Sequence, residues 1–452
     1  MQLENKNVMV YGAARSGISA AGMLQKLRAS VLLYDCNTKI TKEALTDKYD
    51  INQDYTLVTG ALSDQTIDMI DLLIISPGVP TDHPDILKVM KKNIPVWSEI
   101  ELAYRYTKGR IIGITGTNGK TTTTTLVGEI IKAYQEEVYV VGNIGNSYSE
   151  EALSTTDNSI TVIELSSFQL ETIHELKLDV SAILNITPDH LDRHYTMENY
   201  IAMKERITLN QTSSEVCVLN YEDEILHNMA GRIPARILYF SSERELEDGL
   251  YLKGDNIIYS DQGKLQVVCN VNELHILGKH NYENVMAAVG IAVSLKIPMD
   301  IIRSAVLNFR GVEHRIEFVE TINGVTYYND SKGTNPDASI RAVQAMRCPT
   351  ILIGGGYDKK IPFDDLIKAF DGKVKGLVLL GQTREQFAET ARRYGFENII
   401  MAENLREALE LSTKQAVSGD VVLLSPACAS WGMFDNYEQR GRLFKEYVRE
   451  ML

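Results

Sequence analysis

"GITGTNGKTTTTT" spans residues 113–125: three glycines and a lysine ahead of five consecutive threonines. It follows an apolar run, Ile111, Ile112 and Ile114, and precedes a helix-like stretch, "LVGEIIKAY". Strand, glycine loop and helix are the order in which a phosphate cradle is built. Glycines let backbone N–H groups approach anionic oxygens, and the helix N-terminus adds a positive dipole end. The usual spacing, G-x-x-x-x-G-K-[ST], counted back from Gly119-Lys120-Thr121, asks for glycine at 114, where Ile114 stands. The glycines fall instead at 113, 116 and 119. The bland alternative is a turn with a surface lysine, and the strand–GxxGKT–helix context speaks against it. In the nucleotide reading Lys120 reaches the β- and γ-phosphates and the Thr121 hydroxyl holds Mg2+. The other threonines are mediocre helix formers, but their hydroxyls suit a helix N-terminus with free N–H groups.

The chain has 452 residues, about three domains at roughly 150 residues each. Hydrophobic residues make up 44% and charged residues 23%, enough for ordinary cores. A net charge of −14 and a pI near 5.2 argue against a nucleic-acid partner, which needs clustered Lys and Arg. They leave room for a small phosphorylated ligand. The opening "MQLENKNVMV" lacks a basic-then-apolar signal, and no apolar run reaches the length of a membrane span. The five cysteines (36, 217, 269, 348, 428) are scattered and form no C-x-x-C, which reads as free thiols in a reducing cytoplasm.

Short apolar strands alternate with helical patterns almost throughout, the mark of α/β units with parallel sheets. "NVMVYG" (7–12), "SVLLYD" (30–35) and "DLLIISPGV" (71–79) form a first series. A second runs through "GRIIGITG" (109–116), "SITVIELSS" (159–167), "VSAILNITPDHLDRH" (180–194) and "EVCVLN" (215–220), followed by short strands at 236–276 read as an antiparallel insertion. "VTYYNDS" (325–331), "PTILIGGG" (349–356), "VKGLVLLG" (374–381) and "DVVLLSP" (420–426) form the third. The expected boundaries give domains 1–98, 99–310 and 311–452.

Polar residues gather at the ends of these strands. Glu164 closes "ITVIE"; alone it is a solvent-facing carboxylate, but beside a phosphate loop it is a metal ligand. His190 and His194 have the i, i+4 spacing of a zinc pair, yet no third ligand or HExxH is present, and an ATP–Mg2+ site is the better home for His190. Lys204 in "YIAMKERI" reads by itself as a solvated helix lysine. Asn281 precedes an amphipathic helix as an N-cap or an adenine reader, and Arg315 in "GVEHRIE" suits phosphate or ribose. The loops "NDSKGTNP", "GGGYDKK" and "SPACASWGMFDNYEQRG" each follow a strand, where α/β proteins place ligand crevices.

Ten segments, in order, resemble the Mur ligases, the ATP-dependent amide ligases that build the peptidoglycan stem peptide: "GITGTNGKTT", "VGNIGN", "IELSSFQLE", "ILNITPDHLDRH", "YIAMKERI", "GKHNYENVMAA", "HRIE", "NDSKGTNP", "GGGYDK" and "LSPACASWGMFDNYEQRG". G-x-x-G-x-x-G-K-T is that family's variant of the phosphate loop. The resemblance implies a Rossmann-like N-terminal domain, a central P-loop ATPase-type domain with a mostly parallel and a small antiparallel sheet, and a Rossmann-like C-terminal domain. It is strongest to members that add D-glutamate to UDP-N-acetylmuramoyl-L-alanine through an acyl phosphate. It implies ATP contacts at Gly116, Thr117, Asn118, Gly119, Lys120, Thr121, Thr122, Asn281, Arg315 and Asp330. Two Mg2+ sites draw on Thr121, Glu164, His190 and Lys204, the last as a carbamate. The UDP substrate meets Ser16, Asp35, Cys36, Asn37, Gly78, Asn143 and His190, and D-glutamate meets Lys332, Thr334, Lys359, Ser430 and Tyr437. Arg15 stands where the family commonly has an apolar residue, and Trp431 is bulky for its position. A cytoplasmic monomer without membrane or nucleic-acid partners is expected. Three competing readings remain: another amide ligase of the superfamily, an NAD-dependent dehydrogenase argued from the first βαβ unit, and a nonenzymatic nucleotide switch.

Overall fold

The computed structural model describes residues 2–452 apart from 50, 53 and 360, and the side chain of 47. It is an α/β chain divided into two compact units, Met1–Val271 with Glu283–Val306, and Asn272–Tyr282 with Leu307–Leu452.

The first unit holds two sheets. One has five parallel strands in the order Thr56–Thr59, Ser30–Asp35, Asn7–Tyr11, Leu72–Ile75, Val96–Ser98. Strand order reverses beside Asn7–Tyr11, so the loops after it and after Leu72–Ile75 flank the usual ligand crevice. The expected strand at 71–79 stops at Ile75, because Pro77 cannot donate to a ladder and the chain turns there. The glycine at 17 lets the helix Arg15–Lys26 sit close on this sheet: a Cβ there would lie 1.8 Å from the Gly12 carbonyl oxygen.

The other sheet has nine strands, ordered Lys264–Asn270, Asn256–Asp261, Gly249–Lys253, Arg236–Ser241, Val216–Asn220, Val180–Ile183, Arg110–Thr115, Ile160–Glu164, Val138–Gly142. Within 236–276, Arg236–Ser241 and Gly249–Lys253 pair in parallel, and antiparallel pairing begins only at Asn256–Asp261. The antiparallel part is therefore the edge of this same sheet. Strands buried on both faces read as continuous Ile/Val runs, as in "RIIGIT" and "ITVIE". The helix Lys120–Lys132 covers one face with Leu126, Val127, Ile130 and Ile131.

A single apolar cluster joins the two sheets, running from Val8, Val10 and Trp97 through Ile100 and Leu102 to Ile111, Ile163 and Leu178. Fully buried Glu101 reinforces the seam. It accepts the N–H groups of His174, Glu175 and Leu176 at 2.9, 2.9 and 3.2 Å and pairs with Arg105 at 2.8 Å. Hydrogen bonds from several amides repay part of the cost of burying that carboxylate.

The second unit holds six strands in the order Glu317–Ile322, Val325–Asn329, Val421–Leu424, Thr350–Gly354, Val374–Leu379, Ile399–Met401; the first pair is antiparallel and the rest parallel. Alternate residues enter opposite cores: Ile351 and Ile353 one, Leu352 the other. Among the described residues no helix is long and apolar enough to cross a membrane.

Gly17→Ala tests the close approach of the first helix. The overlap with a backbone oxygen can be relieved only by moving the helix, at about 1–3 kcal/mol. The melting temperature is expected to fall by roughly 2–5 °C. An unchanged melting curve would contradict the packing described.

Candidate active site

The odd glycine spacing has a packing explanation. Gly113 lies inside the strand Arg110–Thr115, where a Cβ would meet Leu178 at 2.4 Å, and Ile114 is a buried core residue. The loop proper starts at Gly116 (φ +152°) and ends at Gly119 (φ +84°), where a Cβ would lie 2.2 Å from Asn284 Oδ1. Gly119 supplies no side-chain cap to the helix Lys120–Lys132, and a helix N-terminus of this kind suits an anion. All five threonines are helical, and Thr125 returns its hydroxyl proton to the Thr121 carbonyl at 2.8 Å.

The front of the loop is latched to the segment after Val180–Ile183. Thr117 N–H donates to Asn185 O at 2.9 Å and Asn118 N–H to Asn185 Oδ1 at 2.8 Å. The Thr117 hydroxyl receives Thr187 N–H at 3.0 Å and lies 3.0 Å from the Tyr200 hydroxyl. The amides of Thr117 and Asn118, both expected at phosphate, are thus engaged with Asn185.

Two lysines converge on one carbonyl. Lys120 Nζ donates to Gly116 O and Thr117 O, both at 2.8 Å, and Lys204 Nζ donates to the same Gly116 O at 2.8 Å. Lys204 is 1% exposed rather than solvated, and burial followed by the neighbouring Lys120 charge pushes its ammonium down to about 7. A neutral amine is therefore within reach at neutral pH.

Glu164 lies in register with Ile114 on the adjacent strand. Its Oε1 accepts Asn143 Nδ2 at 3.0 Å, while its buried Oε2 has no hydrogen-bond partner among the described residues. An orphaned carboxylate oxygen of this kind fits a hard divalent cation. His190 is half exposed, in a left-handed conformation (φ 52°), with its ring 4.9 Å from that of Phe168. Among the described residues no three His, Cys, Asp or Glu side chains form a metal cluster. Phosphate and water oxygens would complete the shell of Mg2+, as is usual for that ion. His194 is spent on packing, 2.9 Å from Ser167 Oγ and stacked on Phe168.

Ser16, Asp35, Cys36, Asn37 and Gly78 all lie at or just beyond the C-terminal ends of strands in the first sheet. Asp35 accepts Ala13 N–H and Asn37 N–H, one on each oxygen, at 2.9 Å, so it shapes both loops. Cys36 and Asn37 are exposed, and Gly78 has open space where a Cβ would point. Arg15 Nη2 donates to Gly145 O at 3.0 Å, in the loop after Asn143. Arg193 was not singled out from the sequence. It binds Glu171 at 2.8 Å and donates to Val79 O at 2.9 Å, joining the loop of Gly78 to the segment of His190. Asn185 and Tyr200 were missed likewise; both lie in quoted motifs, but nothing in their spacing marks a latch.

In the second unit Asn281 is not an N-cap. It is the third residue of the helix Lys279–Ser294 and donates Nδ2 to Leu277 O at 2.8 Å. Arg315 is exposed. Asp330 is 4% exposed, its Oδ1 accepting Ile316 N–H at 3.2 Å and its Oδ2 the Ser425 hydroxyl at 2.6 Å. That carboxylate shapes the loop from within. Lys332 and Tyr437 meet, with the ammonium 5.8 Å from the ring centre. Lys359 Nζ donates to Thr334 O at 3.4 Å and lies 5.6 Å from the centre of the Trp431 ring. Trp431 is 57% exposed and leans edge-on against Tyr357, and its neighbour Ser430 is buried. Four of the five residues expected at an amino acid thus fall into two pairs, Lys332 with Tyr437 and Thr334 with Lys359, and Ser430 adjoins Trp431 beside the second.

Three family models match the chain: a Mur ligase MurD-like N-terminal domain at residues 6–98, a Mur ligase middle domain at 114–292, and a Mur ligase glutamate ligase domain at 314–428. The chain is 57% identical over its full length to the UDP-N-acetylmuramoylalanine–D-glutamate ligase of Lachnoclostridium phytofermentans, covering 99% of that protein. It is 55% identical to the enzyme of the same name from Lachnospira eligens and 44% to that from Clostridioides difficile, over 100% of both chains in each case. Among solved structures it shares its fold with a Thermotoga maritima UDP-N-acetylmuramate–alanine ligase (TM-score 0.58, 17% identity, 99% and 100% of the two chains). The Thermotoga maritima MurF ligase, solved with ADP, is similar in fold too (TM-score 0.56, 16% identity, 100% and 97%).

Burial pushes the Asp330 carboxyl up to about 7, against the hydrogen bonds from Ser425 and Ile316. An unfolded aspartate titrates at about 3.9. Between those values the folded form keeps a proton that the unfolded form has lost. This contribution to stability is whole below about pH 4 and gone above about pH 7. Asp330→Asn cannot ionise, so its melting temperature is expected to gain on the wild type as pH rises through that window. A difference between the two proteins that does not vary with pH would refute the assignment.

Proposed function

The chain belongs to the Mur ligase family, and on that premise we propose that it joins D-glutamate to UDP-N-acetylmuramoyl-L-alanine with ATP, a step of peptidoglycan precursor synthesis. The observation that carries the chemistry is the pair of lysines on the Gly116 carbonyl, beside an uncapped helix N-terminus and the open oxygen of Glu164. Two lysines on one loop carbonyl and a buried carboxylate oxygen that accepts no hydrogen bond among the described residues suit a polyphosphate with its counter-cation.

Forming an amide from a carboxylate and an amine in water is uphill. The alanyl carboxylate attacks the γ-phosphorus of ATP, giving an acyl phosphate and ADP. The amine of D-glutamate then attacks the activated carbonyl, phosphate leaves with the electron pair of its C–O bond, and the nitrogen gives up a proton to solvent as the amide forms. Lys120 neutralises charge on the transferred group, and the amides from Gly119 to Thr122 hold the phosphates. Thr121, Glu164, His190 and Lys204 would hold Mg2+, two ions in all, with Lys204 contributing as a carbamate. Bound Mg2+ supplies charge neutralisation on the phosphate oxygens. A lysine that titrates near 7 offers the neutral amine that adds to CO2, releasing one proton and leaving a carboxylate-like ligand.

Residues 1–98 are proposed to take the UDP moiety through Ser16, Asp35, Cys36, Asn37 and Gly78, with Asn143 and His190 toward the muramoyl group. Residues 99–310 are proposed to take ATP, and residues 311–452 D-glutamate through Lys332, Thr334, Lys359, Ser430 and Tyr437. Asn281, Arg315 and Asp330 remain proposed nucleotide contacts, the inward hydrogen bonds of Asn281 and Asp330 giving them a supporting part. UDP-linked precursors and ATP put the reaction in the cytoplasm, and a monomer is sufficient for it.

The deciding assay is phosphate release with UDP-N-acetylmuramoyl-L-alanine and a panel of D- and L-amino acids. D-Glutamate is expected to be preferred; a preference for L-lysine or diaminopimelate would overturn the reading. Lys120→Ala is expected to lower turnover by at least about a hundredfold in a folded protein, and near-wild-type phosphate release would reject the loop assignment. Lys359→Ala removes one charged hydrogen bond to a carboxylate, about 1.5–3 kcal/mol. It is expected to raise the KM for D-glutamate about ten- to a hundredfold with much smaller changes for the other substrates. An unchanged KM would remove Lys359 from the pocket.

A further inference from the structure

Arg440 is among the largest fully buried side chains of the protein, at 2% exposure. Burial pushes its guanidinium down only to about 10, so it stays charged at neutral pH. Among the described residues no carboxylate pairs with it within 4 Å. Its donors go to two backbone segments instead. Nε reaches Ser331 Oγ at 2.9 Å and Nη2 reaches Ser331 O at 2.8 Å. Nη1 and Nη2 share Cys428 O at 3.2 and 3.3 Å. Ser331 precedes Lys332, and Cys428 lies two residues before Ser430.

The contacts around it close the arrangement. Ser331 Oγ passes its own proton to Tyr437 O at 2.8 Å, so the first turn of the helix Tyr437–Arg449 is tied to the same loop. The next residue is Gly441, where a Cβ would lie 2.2 Å from His314 Nδ1; the His314 carbonyl in turn accepts Lys332 N–H at 2.9 Å. A planar fork that reads two carbonyls and a hydroxyl fixes direction as well as distance, which a lysine ammonium does not. A residue needed only to fill the core would not bring a charge into it.

We propose that Arg440 is the positioning residue of the amino-acid subsite, fixing the spacing between the loop of Lys332 and Thr334 and the loop of Ser430. The proposal rests on the assignment of those residues to the amino acid. A dicarboxylate is measured by donors on separate loops, and only a fixed spacing tells a five-carbon acid from a four-carbon one. Arg440 therefore acts on affinity and on chain-length selection, through residues that touch the ligand.

The test compares wild type, Arg440→Met, Arg440→Lys and the milder Ser331→Ala in the full chain. Expected for Arg440→Met are an amino-acid KM raised at least about tenfold, ATP and UDP-substrate KM values within about twofold, and a narrower ratio between D-glutamate and D-aspartate. Ser331→Ala should move the same way by less, and Arg440→Lys should recover only part of the loss. Hydrogen exchange, which needs no turnover, should show lost protection at residues 331–334 and 428–430 with the strands Thr350–Gly354 and Val421–Leu424 unchanged. An amino-acid KM that stays at the wild-type value in the folded variants overturns the proposal, as does protection lost evenly across the second unit. If Arg440→Met does not fold, the other two variants decide. If wild type prefers another amino acid, the D-glutamate reading fails, while Arg440 stands or falls on the KM for the acid that is preferred.

Discussion

The Gly116 carbonyl oxygen carries two lysine ammonium groups, and much of the site follows from that crowding. Burial, and after it the like charge of Lys120 on the same acceptor, holds Lys204 far below an ordinary lysine. The carbonyl can face both because Gly116 takes a backbone conformation closed to other residues. Negative charge brought from outside would relieve the repulsion between them. The protein keeps one buried carboxylate close by, with an oxygen to spare, and leaves the helix amides uncapped.

The scaffold places Glu164 and the phosphate loop at the ends of strands and brings Lys204 to the loop from the helix Met197–Glu205. Glu164 and the phosphate loop leave neighbouring strands in register, and the loop is fastened to the segment following a third. The threonine run, costly for a helix in isolation, is carried by packing: Thr122, Thr123 and Thr124 are buried under the sheet. The second unit repeats the principle with a different fastener, a buried guanidinium in place of an asparagine latch.

Much of this was legible in the sequence. Buried parallel strands announce themselves as runs of Ile, Val and Leu, and the phosphate loop by its lysine and glycines. Missed were strands that are short or at a sheet edge, such as Ile399–Met401 and the polar Glu317–Ile322, whose side chains are only partly buried. Asn281 looked like a cap because it precedes an apolar stretch; the helix begins two residues earlier. Lys204 read as solvated because helical spacing does not reveal which face a long side chain takes. Latches such as Asn185 and Arg193 escaped because their partners are backbone carbonyls and amides, which carry no sequence signature.

The apolar cluster shared by the first two sheets has a bearing on how this enzyme can be taken apart. Trp97, Ile100 and Leu102 belong to the same interior as Ile111 and Leu178, and Glu101 takes three backbone amides from beyond residue 170 besides its pairing with Arg105. A fragment ending near residue 98 would carry an unhealed apolar face, and the remainder would keep Glu101 without the core that Trp97 shares with it. The first two sheets are therefore a single unit of inheritance, and chimaeras that exchange the N-terminal part of one relative for another must carry both.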